Sequence, residues 1–235
     1  MPANPTSPVS RFFRDRGSSL ALVILIMFVI SLAQAGISYT MAFGALSAVL
    51  PRDRSGVATS LVTLRFGLVA LMAVLWTLKR KRALFQLIVI ANAFFTLALL
   101  IQTISLISAL FGGVAEAVNA LMLDVVLMAT SNILIFSVWY WGIDPPGIED
   151  VSRADEPWDF LFPQRGSPLP HYDCWVPLYP DYLFLAFTTS FAFSPTDTLP
   201  PTRRAKMLML LQAAISVVTL TGVAGSAINI LAGAK

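Results

Sequence analysis

Charged residues are scarce in this sequence: Asp, Glu, Lys and Arg fill 12% of 235 positions. A soluble domain carries about 25%, so half of the usual solvating surface is missing. One cysteine, Cys174, excludes an intramolecular disulfide and a Cys-rich metal site. One histidine, His171, excludes a two-histidine zinc motif, and His171, Asp173 and Cys174 have no fourth ligand in sequence. No G-x-x-x-x-G-K-[ST], G-x-G-x-x-G or H-E-x-x-H is present, which removes the common nucleotide and metalloprotease signatures. No internal repeat and no nucleophile–base constellation is visible, so neither enzymatic activity nor a cofactor is expected.

What fills the sequence instead is apolar: 57% of residues are hydrophobic and the mean hydropathy is +0.75. The apolar residues fall into long runs between short charged knots. A run of about 20 residues is what a helix rising ~1.5 Å per residue needs to cross ~30 Å of hydrocarbon. The expected fold is therefore all-α, an integral membrane helical bundle with the lipid bilayer as its solvent. Spans are expected over 18–39, 57–78, 84–111, 117–141 and 203–234. The turn from Pro51 to Gly56, the Lys79-Arg80-Lys81-Arg82 knot and Gly112-Gly113 separate the first four. Ala33-Gln34-Ala35 near the end of the first span resembles a signal-peptidase site. The apolar run continues past it towards Leu50, so an uncleaved helix is expected.

The chain divides into a polar tail (1–17), read as disordered and cytoplasmic, a four-span region (18–141), a Pro-rich acidic loop (142–180) and a C-terminal unit (181–235). Residues 142–202 hold nine acidic against two basic residues, with prolines too dense for regular helix. Trp139, Tyr140 and Trp141 read as an interfacial aromatic belt. The basic residues cluster at span ends, which is a topology signal and not a nucleic-acid stripe. Twelve lie on the side of the tail, the 79–82 knot and the 142–206 region, against three on the other side. The positive-inside rule then expects a plasma (inner) membrane protein with its N-terminus cytoplasmic and its C-terminus outside.

Ionisable groups inside spans are costly and usually partnered. Arg65 and Asp124 fall at similar depth, which suggests an ion pair completed by Gln102 and Gln34. Such a group is either a clasp between helices or the lining of an ion or proton path. On the last span, Gln212, Ser216, Thr219, Gly222, Ser226 and Asn229 step by three and four residues and so share one face. That stripe suits a closely packed neighbour helix or a wet pore.

Before the last span, Tyr182–Phe193 is apolar but too short to cross the bilayer. It follows Pro180, with Asp181 in capping position, and stops at Ser194-Pro195. A short re-entrant or interfacial helix is expected. Tyr182-x-x-Leu185-Ala186-Phe187-Thr188-Thr189, then Asp197, Pro200-x-Thr202-Arg203 and a small-residue-rich helix, resembles the pore module of potassium-type channels. With Asp159-Phe160-Leu161-Phe162-Pro163 included, residues 120–231 look closer still to a family of uncharacterised bacterial inner-membrane proteins. The resemblance implies a pore loop whose mouth is formed by Thr188, Thr189, Ser190, Phe191, Phe193, Ser194, Thr196 and Asp197. It also implies a homo-oligomer and, through a ring of Asp197 carboxylates, a monovalent cation as permeant. Potassium selectivity is not implied: Phe191 and Phe193 stand where the filter has glycines, and bulky residues resist positive φ. Two functions follow: a cation-leaning pore-loop channel, or a non-conducting membrane scaffold or small transporter.

Overall fold

The computed structural model describes residues 18–43, 54–111, 118–144, 158–165, 167, 169, 175–192 and 197–233. These form six helices: α1 (Ser18–Phe43), α2 (Arg54–Thr77), α3 (Lys81–Phe111), α4 (Val118–Ile143), α5 (Tyr179–Ala192) and α6 (Arg203–Gly233). The chain is a polytopic membrane protein with an all-helical bundle fold, and five of these helices are long and apolar enough to span. The candidate spans are Ser19–Ser38, Thr59–Thr77, Lys81–Ile107, Leu123–Ile143 and Arg203–Gly222. Helix is what hydrocarbon permits here, because each backbone donor and acceptor must be satisfied within its own segment.

α4 is the central element, packed against α1, α3, α5 and α6, while α2 leans on α1 and α3. Small residues set the closest approaches. A methyl added to Gly36 of α1 would come within 2.9 Å of Leu127 on α4. One added to Gly222 of α6 would meet Leu106 at 3.2 Å and Val125 at 3.4 Å. The core around α4 is filled by Met27, Ile30, Phe95, Met128, Phe136 and Leu185.

The basic knot is a tight turn. The amide of Lys79 donates to the Trp76 carbonyl and that of Arg80 to the Leu75 carbonyl, each at 3.1 Å. Lys79 adopts φ 58°, so the helix closes in the left-handed manner usually assigned to glycine. α3 begins two residues later, bringing the 79–82 knot, the C-terminus of α4 and the N-terminus of α6 to one end of the bundle.

α5 begins three residues earlier than expected. Asp181 is not its N-cap but its third residue. There the carboxylate reaches back to accept the Leu178 amide at 2.7 Å, the return half of a capping box. The tail 1–17, the turn 51–53 and most of the acidic loop lie outside the described residues, including His171, Asp173 and Cys174. α1 runs unbroken through Ala33-Gln34-Ala35.

Candidate functional site

Polar side chains buried in this bundle fall into three groups. The first is a seam where α4, α5 and α6 meet, with Gln212 at its centre. Its side-chain amide donates to the Ala186 carbonyl (2.7 Å) and to Ser190 Oγ (2.8 Å), both on α5. Its Oε1 accepts the Tyr140 hydroxyl from α4. One turn away, Asn132 of α4 donates to the Gln212 carbonyl (3.3 Å) and to Ser216 Oγ (2.8 Å). The hydroxyls of Ser137 and Tyr179 are 2.6 Å apart, adding a second tie between α4 and α5. One glutamine thereby joins three helices, with both its amide nitrogen and its amide oxygen hydrogen-bonded in a medium with no water to replace these partners.

The second group lies at the basic end. Asp144, fully buried just beyond α4, accepts the Tyr182 hydroxyl at 2.7 Å and the Asp159 amide at 2.8 Å. Asp159 accepts from Thr202 and from Arg204 Nε (2.7 Å), while Arg204 Nη2 lies 2.6 Å from its other oxygen. The Nε hydrogen bond is charge-assisted, and the Nη2 contact adds an ion pair beside it. Leu161 and Leu199 exchange backbone hydrogen bonds of 2.8 and 3.1 Å. This clasp holds the segment after α4, the start of α5 and the start of α6 together. An aromatic packing of Tyr140, Phe160, Tyr182 and Phe162 roofs it, with ring centroids 5.0–6.3 Å apart. Burial pushes the Asp144 carboxyl above the usual range. Hydrogen bonds from Tyr182 and from the Asp159 amide pull it back, and the nearby Asp159 charge raises it again. Burial likewise raises the Tyr182 phenol, helped by the Asp144 charge, so Tyr182 stays a donor.

The third group ties α2 to α1. Arg65 donates to the Gln34 carbonyl (3.0 Å) and to Ser38 Oγ (2.9 Å), and Gln34 Nε2 donates to the Phe95 carbonyl on α3 (2.9 Å). Arg65 and Gln34 do meet, as their depths suggest. The described partners of the Arg65 guanidinium are on α1, which faces α2 across a direct interface, and the expected Arg65–Asp124 pair is not among the described contacts. Asp124 and Gln102 are buried on α4 and α3, outside the described hydrogen bonds of this group.

The α6 stripe faces inward. Gln212, Ser216 and Thr219 are buried, and Gly222 abuts Leu106 of α3 and Val125 of α4. The side chains of Ser226 and Asn229 lie outside the described residues. On α5, Thr189 and Ser190 are buried towards the bundle, whereas Phe184, Phe187 and Phe191 face outward. Thr188 bonds the carbonyls of its own helix (3.1 Å each), and Asp197 is exposed and accepts Thr198 Oγ1 at 3.0 Å. Phe193, Ser194 and Thr196 are outside the described residues. The aromatic belt also needs correction, because Tyr140 and Trp141 are buried in the bundle.

Sequence reasoning missed Asn132, Tyr140, Asp144, Asp159 and Arg204. Asn132 carried a usable signal, being a carboxamide inside a span. The Asp159–Arg204 contact carried none, since the partners are 45 residues apart in sequence. No family model, no curated protein and no solved structure matches this chain.

Proposed function

We propose that this chain is a non-conducting membrane scaffold in which the pore-like segment serves as an internal brace. The observation carrying this reading is the position of Gln212. It sits on the face of α6 that a channel would turn to a shared axis, yet it hydrogen-bonds α5 and α4 of its own chain. A pore wall also requires the Thr189–Ser190 face of α5 to be wet. Burial of both residues supports the brace. The Phe184, Phe187 and Phe191 face is apolar, as suits lipid. The basic end is read as cytoplasmic, on the twelve-to-three distribution of lysine and arginine.

Reconstituted vesicles test this directly. Monovalent-cation flux is expected to equal that of protein-free vesicles, with the chain monomeric by light scattering in detergent. Flux above that level which falls in Asp197→Asn would overturn the scaffold and establish the channel.

A further inference from the structure

A second feature at the basic end lies apart from the seam and shares Arg204 with the clasp. Between α3 and α4 lies a cavity of about 250 Å3, lined by Phe85, Ile88, Asn92, Trp139, Trp141 and Arg204 among others. Its walls are largely aliphatic and aromatic, but two buried polar atoms of its lining residues have no protein partner: Asn92 Oδ1, an acceptor, and Trp141 Nε1, a donor. The other Asn92 amide atom is used, donating to the Ile135 carbonyl at 3.1 Å. Leaving a buried donor or acceptor unmade costs about 1–3 kcal/mol, so a ligand offering both an acceptor and a donor would recover that loss.

Charge restricts the ligand further. Lys79, Arg80, Lys81 and Arg82 precede Phe85 by three to six residues at the start of α3, and Arg203 and Lys206 flank Arg204 at the start of α6; all are exposed. Arg204 stays 47% exposed while paired to Asp159. A pocket between helices that is lined by Arg204 and lies at the basic end of the bundle is complementary to an anionic headgroup. The cavity is smaller than the ~300–1,000 Å3 that encloses a drug-sized ligand. It therefore takes one part of a larger molecule, whose remainder stays in the hydrocarbon beside α3 and α4.

We propose that this cavity binds an anionic phospholipid of the phosphatidylglycerol type. Phosphate or ester oxygens accept from Trp141 Nε1 and from the Arg204 guanidinium, a headgroup hydroxyl donates to Asn92 Oδ1, and the acyl chains run along the α3–α4 groove.

The full chain, delipidated in neutral detergent, is titrated with phosphatidylglycerol and with phosphatidylcholine of the same acyl chains, and retention is read by native mass spectrometry. At least tenfold tighter retention of phosphatidylglycerol is expected. Trp141→Phe, which keeps the ring and loses the donor, and Asn92→Leu should each weaken it several-fold without changing the circular dichroism. The Arg80→Gln/Arg82→Gln pair should narrow the preference between the two lipids. Equal retention of both lipids, or retention unmoved by Trp141→Phe and Asn92→Leu, overturns the proposal. So does full displacement by millimolar inorganic phosphate, which would mark a soluble-anion site. If the pocket variants do not fold, the two-lipid comparison on the unaltered chain decides.

Discussion

α2 and α4 are apolar helices of similar length, and both cross the hydrocarbon, yet they sit in the molecule in opposite ways. Of the α4 span 56% is buried within the bundle, of the α2 span 17%. α4 carries Asn132, Ser137 and Tyr140, and these connect it to α5 and α6. Among the described side-chain hydrogen bonds, Arg65 is what ties α2 to α1. Lipid tails are as apolar as leucine, so burying leucine against leucine adds little to helix association in a membrane. What distinguishes a central helix from a peripheral one here is the number of polar contacts and close glycine approaches, not hydrophobicity.

The most damaging change should therefore strike the seam. Gln212→Leu removes the acceptor of Tyr140 and the donor to Ala186 and Ser190 at once. A loss of about 2 kcal/mol is expected, several unmade bonds being offset by the moderate worth of each in a bilayer. Unfolding in a detergent titration would measure it, and protease accessibility of the 193–202 segment should rise as α5 loosens. A Gln212→Leu chain as stable as the parent would mean that packing alone holds α5.

Arg65→Leu should cost less, about 1 kcal/mol, and should act on α2 alone. Cross-linking between cysteines placed on α1 and α2 should fall while the α4–α6 pair is unmoved. The swapped double variant Arg65→Asp/Asp124→Arg is expected to do no better than Arg65→Leu, because the described partners of Arg65 are on α1. Recovery in the double variant would restore the ion pair expected from depth alone.

The clasp supplies a pH-dependent contrast that the seam, built of neutral groups, lacks. Burial holds the Asp144 carboxyl above its ordinary value, so the folded state binds the proton more tightly than the unfolded one. That contribution is complete below about pH 4, where the unfolded carboxyl is also protonated. It declines as pH rises through the elevated folded value. Acidifying from neutrality should thus strengthen the basic end. Asp144→Asn is expected to flatten this part of the profile and lower stability slightly, since one of two donors loses its acceptor. Denaturation midpoints across pH 4.5–8 check the slope, and an unchanged slope in Asp144→Asn would assign it elsewhere.

This contrast explains what the sequence could and could not reveal. Span number and position follow from hydropathy because bilayer thickness sets a length that any sequence must meet. The shared face of Gln212, Ser216, Thr219 and Gly222 on α6 was legible because helical periodicity is local. Which way that face pointed was not, since Gln212 serves a pore and a seam equally well until Tyr140 and Ser190 are seen beside it. Depth matching of Arg65 and Asp124 has the same limit: depth is one coordinate, and rotation about the helix axis decides the partner. The Asp144–Asp159–Arg204 clasp joins residues far apart in sequence, a non-local event with no periodic trace.

The smallest expected effect lies in the turn that creates the basic end. Lys79 closes α2 at φ 58°, a conformation in which a Cβ crowds the following carbonyl at a cost of about 1–2 kcal/mol. Glycine would relieve that crowding but loses more backbone freedom on folding, about 0.5–1 kcal/mol. Lys79→Gly should therefore raise stability by about 0.5 kcal/mol, and the exposed ammonium it removes makes none of the described contacts. Lys79→Val, with its branched Cβ in the same backbone, should lower stability instead. Opposite signs for the two variants in one detergent titration would show that the backbone, not the charge, makes the turn. Equal losses in both would assign the role to the lysine charge and weaken the case for the basic end as a set of interchangeable cations.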